Sequence, residues 1–373
     1  MGGYWVNRRL SENEEILKGE EVALNLAQSE SERPNDKELI LLSRKALGLP
    51  DSVSMEWESL EGRGSDRTFY RLKWNQKGSA ILIHYDPNRI ENTLYAGIAS
   101  FLFQMNIPVP KVIHHHPILC LLIVEDLGDV TLWSLRKTSW DCLRALYQKT
   151  LRVAYRLHSI SEKEFPSEEV PLMEGFGPHL YRWEQDYFKE NFLRNLCHLH
   201  LDPSLESALD RELFALQDRL SKGRKNLIHR DLQSQNVMVR EGQVFLIDFQ
   251  GMRFGNPFYD LGSLLCDPYV DFSAAQREEL LSYYYELGSK DLDWCAFKTC
   301  FWEASAQRLM QALGAYGFLG LKKGLTSYLN HIPQGLKNLQ LATSQVSTLP
   351  ALQEISTNII SSFQLKQNFN EKI

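Results

Sequence analysis

The sequence has little of what would commit it to a membrane, an oxidising compartment or a nucleic acid. Its longest unbroken apolar run is residues 118–124, ILCLLIV. A membrane-spanning helix needs about 20 apolar residues, so none is expected. The opening stretch MGGYWVNRRLSENEEILKGEE has arginines but no apolar run after them, so it is not expected to act as a secretory signal. Cysteines number only six and no two are spaced C-x-x-C, so reduced thiols in the cytoplasm are expected. Positive charge is not in excess: 41 lysines and arginines face 47 aspartates and glutamates, a net of −6. That excludes the basic footprint of a dedicated nucleic-acid binder. There is no internal repeat and no low-complexity tract. What remains is an ordinary globular composition, 43% apolar and 24% charged, which rules out a disordered, collagenous or coiled-coil chain. At roughly 150 residues per domain, 373 residues suffice for two or three domains.

Along the chain the hydrophobic period changes. Residues 1–37 are polar, acid-rich and weakly periodic, and are expected to form an extension. ELILLSRKALGL (38–49) has helical spacing, with Gly48 and Pro50 as stop signals. The runs MEWESL, TFYRLKW, SAILIHY and ILCLLIV then read as strands of an antiparallel sheet. Between the last two, IENTLYAGIASFLFQMN reads as one helix closed by Ile107-Pro108. From Thr131 the pattern is helical, as in SWDCLRALYQKTLRVAYRLH, YRWEQDYFKENFLRNL and SLESALDRELFALQDRL. The exception is 227–251, where short β-branched runs flank polar loops. The expected architecture is α+β: a small antiparallel β-sheet lobe over 38–126, binding nucleotide, and a large α-helical lobe over 127–373, carrying catalysis and substrate. A ligand cleft is expected where the two meet.

One constellation carries chemistry. His229-Arg230-Asp231-Leu232-Gln233-Ser234-Gln235-Asn236 is followed, twelve residues after Asn236, by Asp248-Phe249-Gln250-Gly251. Phosphoryl transfer from a nucleotide needs one carboxylate at the attacking hydroxyl and oxygen ligands for magnesium on the phosphates. Asp231 lies in a loop, and Asn236 is five residues on. The apolar runs 237–239 and 244–247 can pair as a hairpin that returns Asp248 to that loop. One amide and one carboxylate oxygen suffice for magnesium, which keeps several waters. The alternative reading is a polar turn whose Asp231 and Asn236 cap backbone groups.

These residues resemble the catalytic core of the kinase superfamily, H-R-D-L-x-x-x-N followed by an Asp-Phe metal motif. The chain lacks an Ala-Pro-Glu segment and instead runs RFGNPFYDLGSLL, which is similar to the aminoglycoside phosphotransferase and choline kinase-like family. Within that family it resembles the bacterial anomeric kinases of N-acetylmuramate and N-acetylglucosamine, which serve cell-wall sugar recycling. The matching segments are GSDRTFYRL, IVEDLGDVTL, HRDLQSQNVMV, IDFQG and AQRLMQALGAYGFL, over roughly residues 38–335.

The resemblance implies a two-lobed protein-kinase-like fold and a cytoplasmic, ATP- and Mg2+-dependent phosphotransferase. Its acceptor would be a small-molecule hydroxyl, foremost the anomeric hydroxyl of an amino sugar. It implies Asp231 as the catalytic residue and Asn236 and Asp248 as metal ligands. His229, Arg230 and Asp260 would be structural, with Asp260 bracing the catalytic loop. Gly62, Arg63, Gly64 and Ser65 would cradle phosphate, and Glu125, Asp126 and Leu127 would meet the adenine edge. Gln233, Gln250, Arg253 and Trp183 are the candidate substrate contacts, with Arg253 or Arg182 offered to an acceptor carboxylate. A nucleotidyltransferase acting on the product is the partner such recycling implies. The lysine that kinases usually carry on the third strand is missing from SAILIHYDP. Kinases for aminoglycosides, choline or other metabolite hydroxyls remain open, as does a nucleotide-binding pseudokinase. His114-His115-His116 and His198-x-His200 lack a cysteine or acid at zinc spacing, and read better as a polar turn and a helix face than as a metal site.

Overall fold

Alternating apolar residues in the first third of the chain fold as a sheet. In this computed structural model the described residues are 36–60, 67–75, 78–288 and 291–370, with side chains to 362. The expected extension 1–37 falls almost wholly outside them, as do Gly62, Arg63, Gly64 and Ser65. Strands β1 (Met55–Leu60), β2 (Arg67–Trp74), β3 (Gly78–Tyr85), β4 (Val112–His116) and β5 (Leu121–Glu125) form one antiparallel sheet in the order β1-β2-β3-β5-β4. Leu72, Ala80, Leu82, Leu121 and Ile123 share one core, which Leu39 of helix Asp36–Ala46 completes. Edge strand β1 is largely exposed and carries Glu56 and Glu58, charges that blunt an open edge against further pairing.

Two details differ from the sequence pattern. The segment expected to be one helix breaks into a single turn, Ile90–Thr93, and a helix, Tyr95–Gln104. The three consecutive histidines expected in a polar turn lie in β4, where Tyr85 and His115 are hydrogen-bonded at 2.9 Å. Strand character was masked there because an apolar/polar alternation cannot be seen in a run of three identical residues.

The chain divides into two compact units. One holds the residues to Ala96 together with Pro110–Asp126, and the other holds Gly97–Val109 and Leu127 onward. The larger unit is mostly helical. Helix Trp140–His158 buries Leu143, Tyr147, Leu151, Ala154 and Leu157, the face its 3.6-residue period draws. Helix Pro203–Lys222 begins with Asp202, whose carboxylate accepts from Ser204 N and Leu205 N at 3.0 Å. Helix Pro178–Phe188 runs into a π-helical turn, Lys189–Arg194. The helix Trp294–Lys322 is buried on most sides, so its sequence shows almost no polar stripe.

Among these helices lie two short ladders. β6 (Asn226–Ile228) pairs with β9 (Arg253–Gly255). β7 (Val237–Arg240) and β8 (Gln243–Leu246) form the hairpin expected from the sequence. Its two-residue turn, Glu241 and Gly242, has φ of 52° and 70°, as the twist of a tight hairpin requires.

Candidate active site

The loop between β6 and β7 is held by a buried carboxylate. Asp260, in the first turn of helix Pro257–Leu265, is fully buried. Its Oδ2 accepts from His229 N at 2.7 Å and its Oδ1 from Arg230 N at 2.8 Å. His158 Nε2 lies 3.0 Å from Oδ2, and His158 Nδ1 lies 2.8 Å from the Tyr284 hydroxyl. Arg230 has φ of 76°, a left-handed conformation disfavoured for a side-chain-bearing residue. Two charge-assisted hydrogen bonds on successive N–H groups offset that strain. Asp260 thus braces the loop through backbone. His229 Nε2 is bonded to Ile247 O at 3.0 Å, joining this loop to the end of the hairpin.

Asp231 follows directly, its side chain 37% exposed. Arg308 Nη2, from the long helix, donates to its Oδ1 at 2.5 Å. Gln233 Nε2 donates to Oδ2 at 3.2 Å, and Asn236 Nδ2 donates to Oδ2 at 3.3 Å and to the Asp231 carbonyl at 2.9 Å. Ser234 is anchored by Asp267, whose Oδ2 accepts from Ser234 N at 2.8 Å and Oγ at 2.6 Å. Burial pushes the Asp267 carboxyl up to about 6, against the opposing pull of these bonds. Ile247 N donates to Asn236 O at 3.0 Å, which carries the hairpin pairing up to the residue before Asp248. Asp248 has φ of 62° and accepts from Gln250 Nε2 at 2.9 Å. The left-handed turn redirects the chain as the strand ends.

The structure therefore brings Asp231, Asn236 and Asp248 into one hydrogen-bonded loop system. Gln233 and Gln250 play matching parts: each sits two residues after an aspartate and donates its amide back to that carboxylate. Trp183 is 47% exposed and stacked on Tyr187 at 5.1 Å. Arg253 is buried, with Nε donating to Gly251 O at 3.0 Å and its guanidinium 5.6 Å above the Phe176 ring. Arg182 pairs with Asp186 at 3.2 Å. In the sheet unit, Asp126 and Arg71 form a two-point ion pair, at 2.9 and 3.1 Å, and Glu125 Oε2 accepts from Lys111 N at 3.2 Å. Leu127, the first residue of the helical unit's second segment, is buried.

Asn236 spends its amide nitrogen on Asp231, which leaves the amide oxygen as the atom it could offer to a metal. With a carboxylate from Asp248, that donor set suits a hard, oxygen-seeking dication. Among the described residues no group of three or more His, Cys, Asp and Glu is placed to hold a metal. Two protein oxygens, with waters and phosphates supplying the rest, are what magnesium takes.

A profile of the Phosphotransferase enzyme family, APH, matches residues 56–297. The chain belongs to that family. It is a phosphotransferase that uses a hydroxyl acceptor. An N-acetylmuramate/N-acetylglucosamine kinase from Neisseria meningitidis serogroup B is 23% identical over 316 residues, covering 81% of this chain and 90% of its own. Aminoglycoside phosphotransferase APH(2'')-Ib with ADP bound has a TM-score of 0.57 at 16% identity, over 86% of this chain and 99% of that one. Choline kinase LicA from Streptococcus pneumoniae has a TM-score of 0.53 at 16% identity, over 83% and 98%. The phosphotransferase thus has the protein-kinase-like α+β fold expected of it. No helix among the described residues is long and apolar enough to cross a membrane. The relatives' names carry no support for a nucleotidyltransferase partner.

Sequence reasoning missed Arg308 and Asp267, both of which fasten the loop that carries Asp231 in this phosphotransferase. Arg308 falls within AQRLMQALGAYGFL, a segment that carries the resemblance. Nothing local marks its arginine, because the partner stands 77 residues away. Burial disfavours the Arg308 charge, but the Asp231 carboxylate more than offsets this and holds the guanidinium above its ordinary value.

Proposed function

We propose that this phosphotransferase moves the γ-phosphoryl group of ATP to the anomeric hydroxyl of an N-acetylated amino sugar, N-acetylmuramate or N-acetylglucosamine. The observation that carries the phosphoryl-transfer part is the bonding of Asn236 to both the carbonyl and carboxylate of Asp231, with Ile247 closing on Asn236 from the Asp248 side. The sugar part is supported by the kinase relative, which covers most of both chains.

In this reading Asp231 accepts a hydrogen bond from the acceptor hydroxyl and aligns its oxygen for in-line attack. Arg308, Gln233 and Asn236 fix the carboxylate in that role. The transition state of such transfers is loose, so positioning and charge neutralisation outweigh early proton removal. An anomeric hydroxyl is more acidic than an ordinary alcohol, which suits a carboxylate acceptor. Asn236 and Asp248 would hold magnesium, which when bound neutralises phosphate charge. Gly62, Arg63, Gly64 and Ser65 are assigned to the phosphates, since the usual third-strand lysine is absent from β3 (GSAILIHY). Segment 125–127 is assigned to the adenine edge.

The test is an ATP-consumption panel with N-acetylmuramate, N-acetylglucosamine, choline and an aminoglycoside, the product read by phosphorus NMR. An amino-sugar 1-phosphate is expected. Consumption with choline or aminoglycoside alone would overturn the acceptor. ATP binding without transfer to any acceptor would favour the pseudokinase.

A further inference from the structure

Beside Asp231 lies a group of rings that phosphoryl transfer itself does not use. Tyr269 has its N–H bonded to Asp267 Oδ1 at 2.9 Å, so the carboxylate that anchors Ser234 of the catalytic loop also anchors this residue. His331 is 4.2 Å from Tyr269 between ring centroids, and Tyr316 is 6.2 Å from Tyr269 and 6.0 Å from His331. Tyr328 stacks on Tyr316 at 6.1 Å and 28°. Through Asp267 the cluster is tied to Ser234, three residues after Asp231. Tyr328 and His331 come from the 3-10 turn Thr326–His331, which is half-buried to exposed.

The segment 131–136 is fastened to the same loop. Leu132 N donates to Val237 O at 2.8 Å and Trp133 N to Ser234 O at 3.1 Å. From it Arg136 lays its guanidinium 3.9 Å over the Trp133 ring, and its Nη1 donates to Trp133 O at 3.1 Å. Its charge reaches His331, which burial and Arg136 together hold below the ordinary histidine value. No carboxylate of the described residues pairs with Arg136. Other arginines considered for an acidic acceptor are committed: Arg308 to Asp231, Arg182 to Asp186, and Arg253 inside the fold.

Stiff aromatic faces suit the C–H faces of a pyranose, while their O–H and N–H edges meet its hydroxyls. A guanidinium fixed on an aromatic ring, with donors to spare, suits a carboxylate. We infer that Tyr269, Tyr328 and His331 form the acceptor subsite, backed by the buried Tyr316, that Arg136 is its anion-binding end, and that the preferred acceptor is a sugar bearing a carboxylate. This deepens the amino-sugar reading and rests on it for the hydroxyl attacked. A polycationic acceptor is disfavoured in such a site, because its charge would meet Arg136.

The test measures binding and turnover separately on the full chain, with two matched pairs: N-acetylmuramate against N-acetylglucosamine, and glucuronate against glucose. The acidic member of each pair is expected to bind more tightly. Arg136→Gln should weaken the acidic members about tenfold or more, and the neutral ones by less than about twofold. Arg136→Lys should restore part of the loss. Tyr328→Ala should weaken both sugars of a pair, and an unchanged ATP affinity shows that each variant is folded. Equal binding within the pairs, or equal losses in Arg136→Gln, overturns the subsite. If acidic sugars bind through Arg136 but N-acetylmuramate is never phosphorylated, the subsite stands and the amino-sugar kinase reading falls. If the amino sugars are phosphorylated but acidic and neutral ones respond alike to Arg136→Gln, the reading stands and the subsite falls.

Discussion

Two aspartates twenty-nine positions apart do different work in one loop, and substitution separates them. Asp231 is exposed enough to meet an acceptor, and its carboxylate is pinned from Arg308, Gln233 and Asn236. Asp231→Asn keeps the shape and removes the charge. We expect ATP affinity to stay near wild type while kcat falls by about 10²–10⁴, the usual worth of a positioned acid–base group. Unchanged turnover would remove Asp231 from the mechanism. Asp260 never meets solvent and holds two N–H groups in a strained turn. Asp260→Ala leaves both donors buried without an acceptor, at about 1–3 kcal/mol each. A lowered unfolding midpoint together with lowered kcat is therefore expected, whereas in Asp231→Asn the fall in kcat should outweigh the smaller loss of midpoint that comes from leaving the buried Arg308 without its counter-charge. The H-R-D and Asp-Phe motifs made Asp231 and Asp248 legible, because their spacing is local. Arg308 and Asp267 were not, since each reaches the loop from a distant helix end or body. Gln233 and Gln250 each donate to the aspartate two residues before, a pairing the sequence did not announce.

Among the elements, the long helix Trp294–Lys322 decides the site's rigidity. It delivers Arg308 to Asp231 and, one residue earlier, Gln307 Nε2 to Glu184 at 3.0 Å. Glu184 is fully buried, and burial raises its carboxyl above the ordinary range although Gln307 and Tyr259 bond to it. The helix can approach its neighbours this closely because of its glycines. A Cβ on Gly317 would lie 2.4 Å from the Asn191 carbonyl oxygen, in the π-helical turn, and backbone cannot swing aside as a side chain can. Gly317→Ala is expected to destabilise the fold by about 1–3 kcal/mol. The denaturant midpoint should fall at unchanged m-value, and no shift would mean that the contact relaxes freely. In the sequence these glycines look like weak points of a helix. Only the packing shows that they are crossing points.

At the scale of the molecule, the phosphotransferase carries a net charge of −6 and is proposed to bind a polyanionic nucleotide without the usual third-strand lysine. That places weight on Asn236, Asp248 and a dication. A nucleotide with magnesium at about 100 times its dissociation constant should add about 2.7 kcal/mol of stability. Chelation of the metal, or Asp248→Asn, is expected to erase most of that gain in a thermal-shift measurement while leaving the unliganded midpoint in place. A gain that survives both would show that backbone and cationic side chains alone hold the phosphates.

By itself the sequence determined the sheet-then-helices order and the loop–hairpin–turn that carries Asp231, Asn236 and Asp248. Period, turn residues and motif spacing are properties of neighbouring positions, and neighbours stay neighbours when the chain folds. The tertiary structure alone decided that Arg308 and Asp267 fasten that loop, that Arg253 is buried, and that four rings and Arg136 gather beside it. Those contacts join residues tens to hundreds of positions apart, and only the packing of helices brings such positions within hydrogen-bond reach.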